Sequence, residues 1–403
     1  MRHGRKTVDR IRDFNAGRDP ERLALKYKAM RANPFAFLRG TCHLFYDGLA
    51  PARVPSSPLV WACGDLHLEN FGSYKGDNRL VYFDINDFDE AALAPCAWDL
   101  VRLLTSVLVA VGTLGVDAAA ALRLCKDFVD AYARALATGK ARWIERETAQ
   151  GMVRELLDSL RERNRVQFLD RRTERSGKTR KLRIDGKKAL PVDAAQRRRI
   201  EAFMKRFAPA QPDPEFYRLR DVARRIAGTG SLGVDRYVLL VEGKGSPDAN
   251  YLLDLKRALP SSLAPHVNVV QPRWENEAQR VVVLQERVQA VPSAFLRAVT
   301  IEGNAYVIKG LLPSENRVAI ELWHGRIDHL RNLMTSMGEV VAWAELRSAG
   351  RQGSANADAL IEFASGTKWK AEIIACARAC RGAVDRDWCE FCAAFDDKVF
   401  AHA

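Results

Sequence analysis

The sequence predicts an α+β protein of two lobes, a small one built on an antiparallel sheet and a larger helical one. The helical part follows from apolar residues that recur at helical spacing over Trp98 to Val111, Ala118 to Ala137, Val318 to Leu346 and Ala357 to Phe400. The sheet follows from short β-rich runs set between glycine turns: Tyr237 to Val241, Tyr251 to Leu255, and the pair Phe295 to Thr300 and Ala305 to Leu311 around Glu302, Gly303 and Asn304. With 403 residues, 47% of them hydrophobic, the chain can bury a core of the size this needs.

These signals divide the chain into four parts. Residues 1–135 open the helical lobe, 136–210 form a basic insertion, 211–313 the β-rich lobe, and 314–403 the remaining helices. The prolines Pro209, Pro212 and Pro214 mark the entry to the β-rich part, and Pro313 its end. Residues 1–30 read as a basic amphipathic helical lead-in with charges throughout and no apolar run of signal-peptide type, and no stretch approaches membrane-spanning length. A cytoplasmic protein without a membrane partner is expected.

The stretch from Cys63 to Leu103 departs from every helical or strand period. It places Asp65, Glu69, Asn70, Asp84, Asn86, Asp87, Asp89 and Glu90 within a short distance of one another. An apolar run, Pro58 to Ala62, precedes Asp65, and a second, Leu80 to Phe83, delivers the chain to Asp84. Two strands would therefore present two acidic turns side by side. Carboxylates held that close repel one another unless a cation neutralises them, and Asn and Asp oxygens suit hard Mg²⁺ bound together with substrate phosphates.

The rest of the charge lies elsewhere. From Arg161 to Arg199 there are fifteen Lys or Arg against five Asp or Glu, a local excess of ten in a chain whose net charge is +13. Lys181 to Leu190 reads as a hairpin on an Asp185-Gly186 turn. The segment is either a solvated insertion or a means of attracting an anionic partner. Nucleic acid is disfavoured as that partner because Phe168 is the only aromatic interleaved with these cations.

Further on, Gly228, Gly230, Ser231 and Gly233 form a G-x-G-x-x-G turn, and it runs into a strand, whereas a dinucleotide fingerprint should open a helix. The following strand ends in Lys256, and Glu277 stands ahead of an apolar helical run, with Glu275 a second choice. There is no Walker A sequence. The pairs Cys376 and Cys380, then Cys389 and Cys392, lie in Ala-rich helical sequence at i, i+4 and i, i+3, which favours buried thiols over a zinc site.

Gly64, Asp65, His67 and Asn70 resemble the G-D-x-H-x-x-N loop of aminoglycoside and choline kinases, which share the protein-kinase fold. Asp84 after its strand resembles their metal-binding Asp, and Trp98, Asp99 and Leu100 resemble the opening of their next helix. The wider wording, with Asn33 to Gly40, Asn86 to Glu90, Pro95, Arg102 and Leu103, resembles more closely an uncharacterised bacterial family, domain of unknown function 2252. Trp343 to Ser348 departs from that family, which tends to carry a histidine there. The resemblance implies a bilobal kinase-like fold, ATP and Mg²⁺ as cofactors, and phosphoryl transfer to an unidentified acceptor, with nucleotidyl transfer an open variant. Asp65 would orient or deprotonate the acceptor, His67 would contact a phosphate or order the loop by hydrogen bonding, Asn70, Asp84 and Asp87 would hold the metal, and the glycine turn, Lys256 and its partner Glu277 would serve the nucleotide phosphates. Asp99 would anchor the loop, and Arg39 would reach a phosphate or tie down a loop end. Because the catalytic loop precedes the glycine turn, such a fold would be circularly permuted. The competing reading is a weak or inactive kinase-like scaffold that binds nucleotide and, through the basic segment, an anionic partner.

Overall fold

Fourteen consecutive residues without an exposed position make the helix Cys96–Val109 the centre of the molecule. The helix Lys368–Asp396 packs along it, and the amphipathic helix Ala118–Ala137, capped by the Asp117 side chain on the Ala120 amide, turns its apolar face to Ile327–Ser348. That pair crosses closely at Gly338, where a Cβ would press on the Phe128 carbonyl oxygen and the Tyr132 amide. The computed structural model describes residues 6–50, 53–312 and 316–400.

Six antiparallel strands form the main sheet, in the order Arg297–Ile301, Asn304–Gly310, Tyr251–Arg257, Arg236–Val241, Leu219–Arg225 and Ala189–Leu190. Alternation along the strands sorts their side chains. Tyr237, Leu239, Leu253, Leu255, Tyr306 and Ile308 meet the helix Ala194–Phe207 on one face. The other face carries the rows Arg236 and Val238, Asp254 and Lys256, Val307 and Lys309. Asp254 lies opposite both Val238 and Lys309, and Lys256 opposite both Arg236 and Val307. The protein is thus a mixed α+β structure with an antiparallel sheet, and no helix among the described residues is long and apolar enough to cross a membrane.

Leu59–Ala62 pairs with Ala92–Pro95, and Val81–Ile85 forms a hairpin with Phe71–Lys75. Two expectations need correction. The hairpin in the basic insertion is Thr173–Ser176 with Thr179–Leu182, because the Asp185 carboxylate folds its own loop by accepting from the Lys187, Lys188 and Ala189 amides. Residues 318–326 precede the helix that begins at Ile327. Pro313 lies outside the described residues.

Between the two packed helices, the Tyr132 hydroxyl donates to Glu345 at 2.5 Å. Burial pushes the Glu345 carboxyl up to about 8 against that hydrogen bond, so the fold favours its neutral form. Its contribution is whole below the pKa of an exposed glutamate and is lost as pH rises through about 8. Urea unfolding should therefore show stability falling by about 2 to 4 kcal/mol between about pH 5 and pH 9, and Glu345→Gln should remove most of that slope.

Candidate functional site

The acidic loop is built outward from the central helix. Asp99 accepts from the Cys63 amide at 2.6 Å and the Gly64 amide at 2.9 Å, which fixes the loop where it leaves the strand Leu59–Ala62. Gly64 has φ +80°, and a Cβ there would collide with the Glu90 carbonyl oxygen, so only glycine lets the two acidic turns touch. Arg102, one turn after Asp99, is fully buried and grips Asp65 Oδ1 through Nε at 2.8 Å and through Nη2. Burial raises the Asp65 carboxyl above the usual range although Arg102 opposes it. Its second oxygen, 4.0 Å from His67 Nε2, is the one on offer.

His67 uses Nδ1 to accept from the Glu69 amide, and burial with Arg39, Arg102 and Arg317 nearby holds its pKa far below that of a free imidazole. It is a neutral ring that shapes the loop. Asn70 spends its Nδ2 on the Asp65 and Asp87 carbonyls and the Cys63 sulfur, which fixes the amide and leaves Oδ1 as the oxygen for a ligand.

Asp84 and Asp87 divide the roles expected of one residue. The Asp84 carboxylate is buried and satisfied by the Ile85 amide at 2.9 Å, the Ala290 amide at 3.1 Å and Arg347 at 3.1 Å, turned away from the cavity described below. It is a brace between the acidic hairpin and the helix Ile327–Ser348. Asp87 lines the cavity with a half-exposed carboxylate. Burial works against its charged form, but Lys256, Lys309 and Arg236 outweigh it and hold the carboxyl below the usual range.

Lys256 arrives from the sheet and bonds the Asp89 carboxylate, with Asp87 Oδ2 at 3.9 Å. The expected partner Glu277 is elsewhere: it binds Arg280 on its own helix at 2.6 Å. Beside Lys256, Asp254 is held by Arg236 and Arg225, and burial lowers the pKa of Lys309.

The glycine turn joins two strands of the sheet and is strapped to the N-terminal helices. Arg18 donates to the Gly230 carbonyl at 2.9 Å and Lys26, buried, to the same oxygen at 3.1 Å and to Asn15 at 2.9 Å. The Asp19 amide donates to Gly233. Gly228, Thr229, Gly230 and Ser231 face the cavity, whereas Gly233 packs against Arg18 outside it.

One cavity of about 420 Å³ takes in all of these. Asp65, His67, Asn70 and Asp87 line it from one side, and Gly228 to Ser231 and Lys256 from the other. Ile226, Val238, Val307, Leu311 and Leu312 give it an apolar wall. Among the described residues, no cluster of three or more His, Cys, Asp or Glu is placed to hold a metal by itself. Sequence reasoning named Asp89 and Arg102 but gave them no role, and it missed Arg236 and Lys309. A charge inside the largely apolar helical pattern around Arg102 was the available signal, since such a charge needs a buried partner.

An α+β protein with a cavity lined by both its antiparallel sheet and its acidic loop is thereby defined. The chain belongs to the bacterial family described as an uncharacterised protein conserved in bacteria (DUF2252), whose model matches residues 18–394. No curated protein and no solved structure matches it.

Replacing Lys26 with Met should remove one of the two side-chain donors on the Gly230 carbonyl, leaving Arg18 as the other, with little change in side-chain bulk. Hydrogen exchange should then accelerate in residues 228–234 and stay unchanged in the helix Cys96–Val109. Equal acceleration in both would make Lys26 a general core residue.

Proposed function

We propose that the cavity binds ATP with Mg²⁺ and transfers the terminal phosphoryl group to a hydroxyl acceptor, with the parts of a protein-kinase site in permuted order. The observation that carries this reading is the convergence of Asp65, Asn70 and Asp87 with Lys256 and the glycine turn on one cavity, from segments far apart in sequence. The alternative in which residues 211–313 form an unrelated module would have no reason to bring Lys256 onto the acidic turn.

The donors suit the implied cofactor. Asn70 presents an amide oxygen whose nitrogen is already used, and Asp87 is kept ionised. Mg²⁺ commonly takes one or two protein oxygens and fills the rest from water and phosphate. When bound, it would neutralise charge that develops on the phosphoryl oxygens. Lys256 and the amides of Gly228 to Ser231 would position the phosphates, and the apolar wall of Ile226, Val238, Val307, Leu311 and Leu312 would take the base. Asp65, with Oδ1 fixed by Arg102 and its pKa raised by burial, is oriented to receive the acceptor's proton through Oδ2. Positioning and electrostatics, more than covalent chemistry, carry the rate.

Two measurements test this. With γ-labelled and α-labelled ATP in parallel and a cell extract as acceptor source, the γ label should move; movement of the α label alone would assign nucleotidyl transfer, and of neither a binding scaffold. In calorimetric titration with Mg·ATP, Asp87→Asn should weaken binding about tenfold or more, while Asp65→Asn should bind normally and fail to transfer. Equal effects of the two substitutions would contradict the division of roles.

A further inference from the structure

With Lys256 assigned to the nucleotide phosphates, the cavity still has a second set of cations. On the acidic-loop side, Arg39 and Arg317 share a single carboxylate oxygen, Glu69 Oε2, at 2.8 and 3.3 Å. Two guanidinium groups on one carboxylate leave a surplus positive charge beside Asp65 and His67. The Arg39 Nε is buried without a hydrogen-bond partner. Arg317 is set in place by its bridge to Gly72, in the hairpin that follows Asn70; a Cβ on Gly72 would press on the Asn316 carbonyl. The basic insertion lines the same cavity. It is not splayed into solvent, since Ala189–Leu190 joins the main sheet and Arg171, Arg183 and Lys187 line the cavity.

We propose that the acceptor is an anion, a small phosphomonoester that also carries the hydroxyl to be phosphorylated, with its phosphate held by Arg39 and Arg317 beside Asp65. This rests on the phosphotransfer reading and names its substrate class. Guanidinium forks match phosphate geometry, and Arg171, Arg183 and Lys187 extend the attraction to the mouth. In the transfer, the acceptor oxygen forms the new bond to the terminal phosphorus. The bond from that phosphorus to the bridging oxygen breaks with its electron pair leaving on ADP, and the hydroxyl proton passes to Asp65.

The test is calorimetric titration of the full chain with glycerol 3-phosphate, glycerol and choline, with and without Mg²⁺ and a non-hydrolysable ATP analogue. Glycerol 3-phosphate should bind, the neutral and cationic probes should not, and Arg317→Gln should weaken that binding about tenfold while nucleotide affinity stays within about twofold. Arg317 is the more exposed of the pair, so its loss should leave the fold intact, and Arg171→Gln provides a second variant with a smaller effect expected. Choline binding in preference, phosphate binding indifferent to both arginines, or displacement of glycerol 3-phosphate by a short single-stranded oligonucleotide at lower concentration would overturn the proposal. Loss of analogue binding with arginine-dependent glycerol 3-phosphate binding retained would refute the nucleotide reading and leave the anion site standing.

Discussion

A lysine on a central strand of the main sheet reaches the carboxylate of a turn 167 residues earlier in the chain, and that contact ties the sheet to the acidic loop. Lys256 stands in a row with Asp254 on the cavity face of the sheet, and the cross-strand neighbours Arg236 and Lys309 crowd it with positive charge. Asp87 and Asp89 answer that charge. Neither set would be tolerated alone at such density, because like charges in a poorly hydrated cleft raise one another's energy steeply. Brought together, they form a lattice of alternating charge that defines the cavity, and a ligand with both phosphate and metal exchanges partners in it without leaving a charge unmet.

Two buried ion pairs support this lattice from below and are of different kinds. Asp65 with Arg102 serves the cavity, because one carboxylate oxygen remains outside the pair. Asp84 with Arg347 serves the scaffold, because two backbone amides complete the coordination of the carboxylate. Burying such pairs gains little net stability over apolar packing, since desolvation offsets most of the attraction. Their value here is geometric: they fix which of several neighbouring carboxylates face the ligand.

That distinction marks the limit of what the sequence makes legible. The α+β class, the helix Ala118–Ala137, the hairpin Arg297–Gly310 and the glycine turn between strands follow from periodicity and turn chemistry, which are local. The residues of the acidic loop are also legible as a set. Which of Asp84, Asp87 and Asp89 enters the cavity is not, because it depends on Arg347 and Lys256, both supplied by distant segments. The partner of Lys256 was sought on the nearest helix, at Glu277, and lies on the acidic turn. Strand partners are not legible for the same reason: Leu59–Ala62 and Val81–Ile85 are each an apolar run, and their partners, Ala92–Pro95 and Phe71–Lys75, carry weak strand signals with Gly, Pro and Ala. The basic insertion was legible in charge but not in direction, since only the pairing of Ala189–Leu190 with the sheet turns it toward the cavity.

The central claim is that the glycine turn, Lys256 and the acidic turn form one nucleotide site. Labelling with an acyl-phosphate derivative of ATP, followed by peptide mapping, addresses it directly, because such a probe acylates lysines that lie against bound phosphates. Lys256 or Lys309, its diagonal neighbour on the next strand, should be labelled, and excess ATP with Mg²⁺ should suppress the labelling far more than ATP with a chelator. Labelling confined to surface lysines, or label on Lys256 that nucleotide does not displace, would contradict the account.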